Sequence, residues 1–183
     1  FYMLFFKSIP KKTFKLVIIS LVALALILTL AFSWFGTIEL TQLNTRSLTD
    51  WRLGGSISFI RSADDAKHYD EDGYEWFTDE RGEGIMQAET DTRYYLGKHP
   101  DSGLGGYGVI GFSSSEKYYS ILGIRVGDDE LDAKTELLDS KYKMVSGGFN
   151  SCRVEKGRVA IELSFEHGKV TNIAAYLLTT HIF

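Results

Sequence analysis

A chain of 183 residues that is 44% apolar, 24% charged and 14% aromatic, with only 2 prolines and 1 cysteine, excludes a disordered, collagen-like or disulfide-framework protein. The net charge of −4 is unevenly distributed: four lysines and no acid precede Glu39, so a basic head of about +4 is followed by an acidic body of about −8. That body would repel phosphates, which argues against a nucleic-acid partner, and its roughly 145 residues suit one domain with a real core.

The head, residues 1–15, carries Lys7, Lys11, Lys12 and Lys15. Residues 16–35 read LVIISLVALALILTLAFSWF, in which only Ser20, Thr29 and Ser33 are polar and none is charged. As a helix rising 1.5 Å per residue, this run spans about 30 Å, the thickness of a bilayer core, and the pattern predicts a transmembrane helix. Lysines before the span and none enriched after it orient the N-terminus to the cytoplasm, with Phe14, Trp34 and Phe35 at the interfaces. A cleaved signal peptide ending near Ala31-Phe32-Ser33 is the alternative, in which case the body is secreted. The apolar run is longer than a signal core and bulky Trp34 follows it, so an uncleaved signal anchor fits better.

Residues 36–52 are polar with scattered leucines and read as a juxtamembrane stalk or short helix; residues 53–183 read as one extracytoplasmic α+β domain dominated by antiparallel sheet. Alternating Ile57 and Phe59 predict a strand over 54–61, and Asp72-Gly73 between aromatic-bearing arms predicts a hairpin over 67–78. Further strands are expected at 84–88, 93–96, 107–112 and 118–124. Gly127-Asp128-Asp129 is a helix start, with Leu131, Ala133, Leu137 and Leu138 at helical spacing to about Ser140. A strand is expected at 142–145. Val159, Ile161, Leu163 and Phe165 alternate with Glu162 and Glu166, His167-Gly168 turns, and 169–178 returns, a hairpin whose apolar face the helix would cover. A faint echo links Leu53-Gly54-Gly55 and Asp65-Ala66-Lys67 with Leu122-Gly123-Ile124 and Asp132-Ala133-Lys134. The two spacings differ by two residues, which favours coincidence over a repeat.

Chemistry-bearing motifs are sparse. Cys152 is the lone cysteine, so the domain has no internal disulfide, a usage that suits an exported bacterial protein, and the thiol reads as buried or incidental. Gly103-Leu104-Gly105-Gly106-Tyr107-Gly108 matches G-x-G-x-x-G, but it neither follows a strand nor opens a helix, so it reads as a loop and implies no cofactor. From Asp64 to Asp91 eleven carboxylates face only Lys67 and Arg81. His68, Asp70, Asp72, Gly73, Tyr74 and Asp79 fall at positions 1, 3, 5, 6, 7 and 12 of a Ca²⁺-binding loop, which makes Asp70, Asp72 and Asp79 the candidate metal ligands. His at position 1, Asp at position 12 and the lack of flanking helices favour a solvated acidic hairpin instead. Tyr74 and Trp76 alternate on one strand face and are the candidate ligand-binding rings for a glycan or peptide, against core packing as the simpler role. No metalloprotease, serine-elbow or Cys/His motif marks a catalytic site.

From Ile121 to Leu178 the order "LGIRVGDD", helix, tyrosine-bearing strand, "KGRVAIEL" and "GKVTNI" resembles a half-module of small exported bacterial α+β proteins. These are the β-lactamase-inhibitor-protein-like folds and the small lipoprotein of the outer-membrane barrel-assembly machinery. The resemblance rests on Gly123, Gly127, Asp128 and Gly168-Lys169-Val170 and implies protein binding with no catalytic residues; the chain lacks their lipid-bearing cysteine. The expected function is a single-pass membrane protein presenting a non-catalytic binding module of the cell envelope, with an envelope protein or glycan as partner. The alternatives are an envelope enzyme built on the acidic cluster or a domain that binds a divalent cation.

Overall fold

The computed structural model describes residues 11–56, 60, 62–69, 73–98 and 107–178; the side chains of 11–16 and 28–37 are outside that description. The chain divides into two compact units, 1–38 and 39–183. In the first, helix α1 (Lys11–Arg46) begins and then runs on into the second. Val17, Ile18, Ile19, Leu21, Val22, Leu24, Leu26 and Ile27 are exposed all round it. Among the described residues no helix is long and apolar enough to cross a membrane, and the described side chains of the apolar run, Val17–Ile27, cover only part of it.

The second unit is α+β, built on an eight-stranded antiparallel sheet. Its first four strands, β1 (Tyr74–Asp79), β2 (Gly82–Gln87), β3 (Thr92–Lys98) and β4 (Tyr107–Ser114), form a meander. Between the halves lie a two-stranded ribbon, β5 (Ser120–Ile121) with β6 (Ile124–Arg125), and helix α3 (Glu130–Asp139). A second meander follows: β7 (Lys143–Gly147), β8 (Ser151–Lys156), β9 (Val159–Glu166) and β10 (Lys169–Leu177). The sheet order β1-β2-β3-β4-β10-β9-β8-β7 places the last strand of each half side by side, with Ala175 opposite Phe112 and Tyr176 opposite Gly111.

Alternation decides the faces. Val159, Ile161, Leu163 and Phe165 in β9, Val170, Ile173 and Ala175 in β10, Phe112 in β4 and Val154 in β8 are buried on one side. There Ala133 and Leu137 of α3 cover the second half, and Ala66 of the short helix α2 (Ala63–Lys67) is buried beside the first. Asp129 caps α3 as the sequence predicts, accepting a hydrogen bond from the Leu131 amide at 2.9 Å.

Several expectations change. The segment read as a stalk or short helix, 36–52, is helical to Arg46, and from residue 39 on it belongs to the second unit, with Leu40 and Leu43 buried in its core. Asn44 clasps both the N–H and the C=O of Leu53, and Leu48 exchanges backbone hydrogen bonds with Ser120. Among the described residues the hairpin expected over 67–78 has no first arm: Lys67 closes α2 on a Ser62 cap, His68 and Tyr69 are in no strand, and β1 pairs forward with β2 around Glu80-Arg81. A local Ser cap with acids in the first helical turn outweighs the Asp-Gly turn signal, and Asp70–Asp72 lie outside the described residues. Gly54, Gly55, Ser56 and Ile60 are not in a strand, although Gly54 and Gly55 bond to Val109; Ile57 and Phe59 lie outside the described residues. The strand expected over 118–124 is broken by Leu122-Gly123 into the β5–β6 ribbon, both turn residues having positive φ. Strand β8 and helix α2 carry no expectation from the sequence.

The echo, which spacing alone assigns to coincidence, occupies matching places in the two halves. Leu53 and Leu122 are buried, Gly54 and Gly123 have φ of 76° and 86°, and Ala66 and Ala133 are both buried on the helix that precedes each meander.

Gly84, in mid-β2, touches the Tyr94 backbone so closely that a methyl there would stand on the Tyr94 carbonyl, whereas Gly148 has open space. Gly84→Ala is expected to lower stability by on the order of 2–3 kcal/mol in urea titration, while Gly148→Ala stays within about 0.5 kcal/mol.

Candidate functional site

Two polar constellations stand on opposite faces of the sheet. On the covered side, the loop after α1 delivers Asp50 and Trp51 to strands β1, β3 and the approach to β5. One oxygen of Asp50 accepts hydrogen bonds from Tyr74 (2.8 Å), Tyr94 (3.2 Å) and Tyr119 (2.7 Å), and the Asp50 N–H donates to the Tyr94 hydroxyl (3.0 Å). Trp51 sets its ring against Tyr74 at 4.8 Å and Tyr94 at 4.7 Å, and the stack continues through Phe112 to Tyr119. Burial, then the Asp50 carboxylate, pushes the phenols of Tyr74, Tyr94 and Tyr119 well above the ordinary tyrosine range. Tyr74 and Trp76 do share a strand face, as their spacing predicts, but that face points to the core: Tyr74 is 5% exposed and Trp76 packs on the core. The rings proposed as a ligand platform therefore pack inward.

The other side of the sheet has no helix on it among the described residues. Asp79 in β1 accepts from Arg93 (3.1 Å), the Tyr95 hydroxyl (3.0 Å) and the Arg81 N–H (2.8 Å). Burial alone would raise its carboxyl, but these three donors outweigh that and hold it below the usual range. Tyr95 packs on Tyr176 of β10 at 5.5 Å. Arg81, from the β1–β2 turn, donates to the Tyr176 hydroxyl, lies over that ring and pairs with Glu162 of β9 at 3.3 Å. Glu162 also pairs with Arg153 of β8, which reaches Glu155. A turn at one end of the sheet can reach β9 only if the sheet curls strongly, since neighbouring strands are about 4.8 Å apart and four steps separate β2 from β9. Gly111 permits the close packing: a Cβ there would meet the Tyr176 ring at 2.6 Å. The result is an open groove of about 580 Å³ bordered by Asp79, Arg81, Arg93, Tyr95, Ser113 and Asn172.

Sequence reasoning missed this groove because its tyrosines and arginines come from three strands, β3, β8 and β10, and the β1–β2 turn, and share no motif. The usable signal was alternation, with Arg93 and Tyr95 flanking buried Tyr94 and with Glu162 and Ser164 flanking buried Leu163. The candidate metal ligands are not brought together among the described residues. Asp79 is tied into the outer network, Asp70 and Asp72 lie outside the description, and no group of three His, Cys, Asp or Glu side chains converges there. Cys152 is buried, which pushes its thiol upward and makes it a poor nucleophile.

No protein-family model, curated protein or solved structure matches this chain.

Asp50→Ala removes the acceptor of three hydroxyls at once. It should cost about 2 kcal/mol in chemical denaturation, less than three full charged hydrogen bonds because Asp50 is itself solvent-exposed. The tyrosines set a second expectation. Their folded-state values are raised, that of Tyr142 to about 12, so folding holds protons that the unfolded chain releases near its ordinary value of 10.0. The stability this provides is complete below pH 10 and is lost as pH rises above it. Absorbance at 295 nm should show these phenols ionising late and together with unfolding. Independent ionisation near pH 10 in a folded chain would contradict the burial described here.

Proposed function

We propose that this chain is a single-pass membrane protein, anchored by residues 16–35 with residues 1–15 in the cytoplasm, whose 39–183 unit binds an envelope protein outside the cytoplasm through the outer face of its sheet. The observation that carries the binding reading is the run of partly exposed Arg81, Arg93 and Arg153 beside half-buried Tyr176, laid over buried Tyr95 and held by Asp79, Glu162 and Glu155. Tyrosine and arginine are the residues that supply the anchors of protein interfaces, and here curled strands hold them in place at little further entropic cost. The resemblance of residues 121–178 to exported protein-binding modules agrees with this. Charge segregation and the uninterrupted apolar run support the anchor.

An enzyme would need convergent groups that are free to react. Asp79, Glu155 and Glu162 are each held in an ion pair, and this favours binding over catalysis.

Two measurements test the proposal. With a C-terminal tag, protease added to intact cells should remove the full-length signal; a protected tag would overturn the topology. A photo-crosslinking residue at Asn172 in intact cells should give a protein adduct of discrete mass that Arg81→Ala combined with Tyr95→Ser abolishes without lowering α+β content by circular dichroism. An adduct unchanged by that pair, or binding to glycan alone, would sink the protein-binding reading.

A further inference from the structure

Of the described tyrosines Tyr118 alone is exposed (65%), and its ring stands edge-on to that of buried Tyr119 at 5.3 Å. The Tyr119 hydroxyl donates to Asp50 at 2.7 Å, the shortest of the three bonds that one oxygen of this carboxylate accepts. A phenol gives up an electron readily only if its proton has a place to go, because the radical cation is a very strong acid. Burial, then the Asp50 carboxylate, keeps Tyr119 from ionising beforehand, so its electron and its proton have to leave together.

Other tyrosines are worse placed for that step. The Tyr107 hydroxyl is buried with no hydrogen-bond partner among the described residues. Tyr95 donates to Asp79, but Arg93 and the Arg81 N–H already hold that carboxylate and lower its affinity for a proton. Tyr176 accepts a hydrogen bond from Arg81, and a cation at the oxygen opposes loss of an electron. Asp50 takes no part in these ion pairs, and its exposed side chain can pass a proton on to water. The geometry points to a one-electron donor site in which Tyr119 gives an electron to an acceptor at the surface through the Tyr118 ring, while Asp50 takes the proton. The phenolic O–H bond breaks and a carboxylic O–H bond forms across 2.7 Å. A neutral tyrosyl radical is left, and the acceptor is reduced by one electron. The class of substrate is an outer-sphere oxidant, such as an oxidised metal complex, that takes an electron and no proton.

This inference is independent of the outer groove and of its partner. The full chain in detergent micelles is exposed to photogenerated ruthenium(III) tris-bipyridine, and growth of the tyrosyl radical is followed by visible absorbance and electron paramagnetic resonance. Asp50→Asn keeps an acceptor oxygen for the hydroxyls but cannot take a proton, and should slow that growth about tenfold or more. Tyr119→Phe leaves the exposed ring in place and should slow it as much, with the double variant no slower than either. Tyr118→Phe should also slow it, wild type should react more slowly in heavy water, and Tyr107→Phe should change nothing. Thermal melts of each variant establish that the unit is folded. Growth unchanged by Tyr119→Phe, or by a folded Asp50→Asn, would make exposed Tyr118 an ordinary donor to water and overturn the inference. Equal rates in light and heavy water, or a rate indifferent to Tyr118→Phe, would overturn it as well.

Discussion

The antiparallel pairing of β4 with β10 is the constraint on which the rest of the second unit depends. Each half is a helix followed by a four-stranded meander, and the β4–β10 pairing is the one strand contact that joins them into a single sheet. Joined at their last strands, they share one core, with Phe112 and Ala175 at the junction. On the outer side the same junction sets Tyr176 over Gly111 and beside Tyr95, so the groove exists only because two distant segments of sequence became neighbours. The recurrence of Leu-Gly turns and buried helix alanines in the two halves is what one supersecondary plan used twice would produce.

The sheet separates two electrostatic strategies. On the covered side, Asp50 is itself solvent-exposed but accepts from the hydroxyls of three tyrosines whose rings enter the core. Outside, acids and arginines alternate across β1, β3, β9 and β8 in a connected chain. Surface pairs of this kind add little stability, so their worth lies in holding long side chains in place. An acidic chain thereby keeps three arginines poised on a single face.

What the sequence made legible followed physical locality. The β9–β10 hairpin, the α3 cap and the presence of β2 and β3 depend on neighbours within a few residues, and alternation or capping chemistry reports them directly, though both strands begin earlier than the sequence suggests. The α+β class and the dominance of antiparallel sheet followed from the same signals. What stayed hidden depends on distant partners. Residues 36–52 look polar enough for a stalk because Leu40 and Leu43 acquire their burial from strands far along the chain. Tyr74 and Trp76 alternate equally well for a ligand or a core, and only the position of Trp51 and Asp50 decides between them. The groove is harder still to foresee, since Arg81 belongs to it through the curl of the sheet and not through any spacing.

Because β10 follows the other seven strands of the sheet in chain order, the joined sheet cannot form until Lys169–Leu177 has been made. Pairing Ser114 with Ile173 closes a long loop, whereas each meander can assemble from adjacent hairpins. A chain emerging from its N-terminus would therefore hold β4 as an uncovered, aggregation-prone edge throughout synthesis of the second half. Joining of the sheet thus waits on the nine residues of β10, and a chain cut short before Lys169 would present two unpaired half-sheets to the proteases and chaperones around it.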